Sequence, residues 1–150
     1  MNPEAEPVEH EDRWVLGLRG LSVVGIRIDL RPTLVLDAGW EVVPAAPTRL
    51  STGSLRTDPG LPLTPESQDV AAALPLFGAK VLSAVAFKSG ALRMVFDSGT
   101  HLTCPSHASF AAWQITGPGG WRFVSLPGGD LAVRSGSGTG ESPQYRIAKH

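Results

Sequence analysis

Five tight-turn sequences divide this chain into short apolar runs: Asp37-Ala-Gly39, Lys88-Ser-Gly90, Asp97-Ser-Gly99, Gly117-Pro-Gly-Gly120 and Pro127-Gly-Gly-Asp130. Such reversals suit a sheet protein, because glycine reaches the positive φ that hairpin turns need and proline presets a bend. The 17 glycines and 13 prolines among 150 residues are spaced too closely for a helical bundle.

The runs between the turns carry the period of strands. From Leu21 to Leu30, Val24, Ile26, Ile28 and Leu30 share one face and Arg27 and Asp29 the other, the alternation of a half-buried strand. Arg31-Pro32 breaks it, Thr33 to Leu36 resumes, and Asp37-Ala-Gly39 reverses the chain into Trp40 to Val43, a three-strand meander. A similar meander returns at Val81 to Phe87, Ala91 to Phe96 and Thr100 to Cys104. Setting Asp37 on Asp97 aligns Leu34 with Met94, Val35 with Val95, Leu36 with Phe96 and Val42 with Leu102, apolar on apolar, which we read as a weak internal duplication. Trp113 to Thr116, Trp121 to Leu126 and Leu131 to Arg134 add three strands.

The remaining stretches set the domain limits. Residues 1–13 hold Glu4, Glu6, Glu9, Glu11 and Asp12 against one Arg13 and read as a solvated acidic tail. Residues 44–64 show neither period and read as a long surface loop. Thr64-Pro65-Glu66 then carries a helix-start signal, predicting a short helix over 65–75 with Val70, Ala73 and Leu74 as its apolar stripe. Residues 135–150 begin in Gly/Ser-rich sequence and read as a flexible tail. The expected fold is therefore one mainly β domain over 14–134, an antiparallel sandwich or partly open barrel. It would have about nine or ten short strands built from two similar meanders, plus one short helix.

Charge and cysteine use exclude some functions. From residue 14 onward 12 Lys or Arg face 9 Asp or Glu, with no basic stripe of the kind that tracks nucleic acid. No apolar stretch reads as a membrane span, the N-terminus does not read as a secretory signal, and Cys104 is the only cysteine. A cytoplasmic protein is the expectation.

No convincing catalytic set emerges. His101, Cys104 and His107 are three potential metal ligands within seven residues, but on a strand His101 and Cys104 point to opposite faces, and no second cysteine completes a zinc set. His101 and His107 stay as weak metal candidates, with no cofactor expected. Cys104 shares a face with Leu102 and reads as a buried, unreactive thiol. Asp37 and Asp97 read as turn-capping residues in preference to an acid–base pair, and the glycine clusters as hairpin turns in preference to phosphate loops. Trp113 alternates with Ile115 as core. Trp40 and Trp121, each just beyond a turn, are the candidates for a partner surface.

The runs Gly90-Ala-Leu-Arg-Met-Val-Phe-Asp-Ser-Gly99, Ala112-Trp-Gln-Ile-Thr-Gly-Pro118 and Leu126-Pro-Gly-Gly-Asp-Leu-Ala-Val133 resemble the uncharacterised bacterial family DUF6188. The resemblance covers chiefly residues 78–134, with 14–43 fitting less specifically. Ala111 and Arg134 depart from the family's acidic and aromatic positions. The resemblance implies a small β-rich domain and carries over no activity or catalytic residue. The function expected is a non-catalytic protein-interaction module, of immunity or accessory type, working near Trp40 and Trp121. The alternative is a small-ligand or metal-binding β-barrel, and a hydrolase is third.

Overall fold

The computed structural model describes residues 6–28, 32–45, 48–51, 61–63, 75–134 and 146–148. Among these described residues fourteen strands form two antiparallel seven-stranded sheets. The first runs β1 (Val8–Glu9), β2 (Arg13–Val15), β8 (Val81–Phe87), β9 (Leu92–Phe96), β10 (His101–Cys104), β6 (Thr48–Ser51), β7 (Leu61–Leu63). The second runs β14 (Arg146–Ala148), β13 (Leu131–Arg134), β12 (Arg122–Ser125), β11 (Trp113–Thr116), β5 (Glu41–Pro44), β4 (Pro32–Leu36), β3 (Val23–Ile28).

The strands divide into two separate sheets rather than one curled sheet, and neither closes on itself among the described residues, which is the sandwich of the two expected forms. Alternate residues of both sheets meet in one core, with Leu34, Phe96, Leu102, Trp113, Ile115 and Phe123 buried in it. Trp14 on β2 sets its ring edge-on to Trp121 and Phe123 of the other sheet, at 6.0 and 5.5 Å between centroids. That aromatic bridge fastens the edge of the first sheet across the core, each pair contributing roughly 0.5–1.5 kcal/mol beyond burial.

The two meanders are related by an internal pseudo-two-fold. Ser22 and Lys80 form a single antiparallel bridge, in which Val23 N–H donates to Ala79 O and Val81 N–H to Leu21 O. The pattern repeats outward: Gly20 N–H reaches Val81 O and Gly78 N–H reaches Val23 O, both at 2.8 Å. The Asp37 carboxylate accepts the Ser22 N–H and the Asp97 carboxylate the Lys80 N–H, at 3.1 and 3.0 Å. A Leu-x-Gly-x-x-Val sequence, Leu18 to Val23 and again Leu76 to Val81, underlies this symmetry.

Each half then sends its next hairpin to the other sheet. Strand β6, which follows the first meander, pairs with β10 of the second; β11, which follows the second, pairs with β5 of the first. Leu50 lies opposite Leu102 and Ile115 opposite Val42, the equivalent register in both cases. The halves are thus interlocked rather than laid side by side.

Nine strands match the sequence reading, and five are additional. Strands β6 and β7 stand within residues 44–64, which were read as loop. Four and three residues are too few to show a period, and it is pairing with β10 that makes them strands. Strand β1 lies in the acidic N-terminal segment and pairs with β2, while Lys88 Nζ reaches Glu9 at 2.7 Å. Strand β14 pairs with β13 inside the segment read as a flexible tail. The expected helix over 65–75 lies, but for Pro75, outside the described residues.

The face assigned to Val24 changes, while Ile26 packs toward the core as its alternation implies. Val23 is buried and Val24 is 51% exposed, because the register slips between Val23 and Gly25 and Val24 is the extra residue of a β-bulge. Strict alternation cannot anticipate a bulge, since one inserted residue reverses the parity of what precedes it. The equivalent strand β8 has the same bulge, with Leu82 turned outward.

Candidate functional site

The residues singled out in the sequence do not gather at one place. Trp40 is only 6% exposed and lies flat on the backbone of Gly117, where an added β-carbon would come within 2.5 Å of the indole. It is therefore core, and the expectation of a partner-facing Trp40 is corrected: the Gly117 turn folds back over the ring. Trp121 is partly buried, stacked parallel to Phe123 at 5.8 Å and part of the bridge to Trp14. Its ring serves the packing of the two sheets.

The histidines separate as well. Cys104 is fully buried, its thiol donating to Ala112 O at 3.5 Å, while His101 sits on the opposite face of β10. His107 lies in the loop after β10, stacked on Phe110 at 3.8 Å, and its Nδ1 accepts the Ser109 N–H at 3.0 Å. That bond leaves Nε2 as the protonated nitrogen of the neutral ring. Among the described residues no group of three or more His, Cys, Asp or Glu is placed to hold a metal ion.

The glycine turns act as packing elements. Gly90 is pressed against Gly129 and Ser106, and its carbonyl accepts both Trp113 Nε1–H at 2.8 Å and Ser125 Oγ–H at 2.7 Å. Gly128 N–H donates to His107 O, which ties the loop after β10 to the β12–β13 turn. Asp37 and Asp97, at matching turns, each cap a backbone amide.

What the fold does assemble is an outward surface on the first sheet. One register line crosses six strands through Val8, Val15, Val85, Arg93, Thr103 and Arg49. Beside it Arg13 lies opposite Phe87, and Ser83, Val95 and His101 form a parallel line that ends on the buried Ser51. Arg13, Arg49 and Arg93 are exposed, Val85, Phe87, Val95 and His101 half-buried. Glu9 is the one carboxylate residue among this sheet's described strands; it lies opposite core-facing Trp14 and is bound by Lys88. The surface is thus cationic and apolar together.

The second sheet's outer face differs. Arg27 spans both oxygens of Glu41 at 2.9 and 3.4 Å, and Arg122 Nη2–H donates to Gln114 at 2.8 Å. Both of these arginines are held by side chains of other strands. On the first sheet, Asp12 stands 3.9 Å from Arg13 and Lys88 holds Glu9 at 2.7 Å.

The parts missed by the sequence reading are Arg13, Arg49 and Arg93, which lie scattered along the chain. The alternation of β9 did signal that Arg93 points outward, but only the order of strands places the three on one surface.

Fold and surface define an all-β class: an open sandwich of two sheets with interlocked, pseudo-symmetric halves. Within that class the chain belongs to DUF6188, a family of unknown function whose model matches residues 14–135. That range takes in strands β2 to β13, so the outermost strand of each sheet on one side, β1 and β14, lies beyond the match. No curated protein and no solved structure matches the chain.

Proposed function

We propose that this domain is a non-catalytic interaction module, of immunity or accessory type, which docks an acidic surface of a partner protein on the outer face of the first sheet. The observation that supports this reading is the register line that sets Arg93 beside Val8, Val15 and Val85, on a face whose described strands carry no outward carboxylate. Apolar area supplies affinity, while the arginines steer an acidic partner and set its register. Arginine suits this role because its planar fork meets a carboxylate with two hydrogen bonds.

The test is affinity purification from the native host followed by cross-linking, with the wild type and Arg93→Glu compared side by side. Arg93 is exposed on a sheet surface, so its reversal leaves the core intact. A partner cross-linked to β8–β10 and lost with Arg93→Glu supports the reading. A partner retained by Arg93→Glu, or cross-linked only to the second sheet, refutes the assignment of this face.

A further inference from the structure

The approach to β1 carries carboxylates of its own. Glu6 is exposed, Pro7 buried and Val8 exposed, so the alternation of β1 runs back into the residues before it and sets Glu6 on the side of Val8, the outer side of the first sheet. Glu4 stands two positions earlier, on the same period in the sequence. The chain therefore enters the sheet at the start of the register line through Val8, Val15, Val85, Arg93 and Thr103, with a glutamate on the side that this line faces.

Further along that line Arg93 is exposed and, among the described residues, makes no ion pair, whereas Arg13 has Asp12 at 3.9 Å and Lys88 holds Glu9 at 2.7 Å. Strand order puts β9 three spacings from β1, about 14 Å at roughly 4.8 Å per strand. Glu4 is four residues from Val8, about 13 Å of extended chain, and the glutamate and arginine side chains span what is left. A carboxylate of the chain itself has the sign, the side and the reach to meet Arg93. We infer that the acidic segment Glu4–Glu6 folds back across the outer face of the first sheet and pairs with Arg93, holding the place of the acidic partner until that partner displaces it. The inference rests on the reading of this face as a docking surface for carboxylates and adds a competitor built into the chain. The segment lies before residue 14, outside the family match.

A nitroxide label on Asn2→Cys of the full chain, read by NMR, tests this; Cys104 is buried, so the label goes to residue 2. The amide signals of Val85, Arg93 and Thr103 are expected to broaden at low salt. That broadening should fall at least about threefold in about 1 M salt, where the screening length shrinks to about 3 Å. It should fall likewise in Arg93→Glu, which changes an exposed side chain and leaves the core intact. Adding Glu4→Arg and Glu6→Arg to Arg93→Glu reverses both signs and should restore it. Signals of Arg93 and Thr103 that stay sharp in the otherwise unchanged chain overturn the inference. So does broadening that neither salt nor Arg93→Glu reduces. The measurement needs no partner, whereas the docking assignment is read by partner capture, so either can fail alone.

Discussion

Trp40 and Gly117 are in face-to-backbone contact, and a single added carbon at residue 117 would stand 2.5 Å from the indole. Gly117 has an extended backbone, so the constraint is purely steric. Gly117→Ala is expected to destabilise the fold by about 1–3 kcal/mol, as overpacking does. Urea unfolding should show a lower midpoint with unchanged slope. Combining Gly117→Ala with Trp40→Leu should restore part of the loss, a non-additivity that reports the contact itself.

Gly90 and Gly99 separate two reasons for needing glycine. Both have positive φ, at 98° and 88°, but a β-carbon at Gly99 meets nothing within 4 Å while one at Gly90 lies 2.6 Å from Gly129 O. Gly99→Ala should cost about 1–2 kcal/mol in backbone strain. Gly90→Ala adds a clash with backbone and should be clearly worse or fail to fold, as thermal melts of the two variants will show.

Asp37 and Asp97 hold equivalent amides across the pseudo-two-fold. Alanine at either position removes one exposed hydrogen bond and should cost about 0.5–1.5 kcal/mol. The two losses should agree within about 0.5 kcal/mol, which denaturant titration will measure. Unequal losses would show that the symmetry is geometric only.

Cys104 has no exposed surface in the folded chain. A thiol-specific reagent should modify it very slowly in buffer and rapidly in denaturant, since reaction requires opening of the core. Fast native labelling would contradict the packing of β10 against Ala112.

His101, Cys104 and His107 show how far the sequence carried the question of a site. Strand parity alone separated His101 from Cys104, and the fold keeps them apart on the two faces of β10. Trp40 went the other way and is core, whereas Trp121 keeps part of its surface exposed. Their place just past a turn is shared by rim residues and core residues alike, and only the return of Gly117 over one ring and of Trp14 against the other decides burial. The arginine surface was invisible for a related reason, as Arg13, Arg49 and Arg93 become neighbours only when strand order is known.

Local sequence determined which segments become strands and where the chain turns, because alternation and turn chemistry act over a few residues. It also exposed the repeat, through Asp37 and Asp97. The tertiary structure decided the rest: the exchange of β6 and β11 between halves, the paired bulges that turn Val24 and Leu82 outward, and the strand status of β6, β7 and β14. Each depends on hydrogen bonds to strands distant along the chain, whose partners no local pattern names.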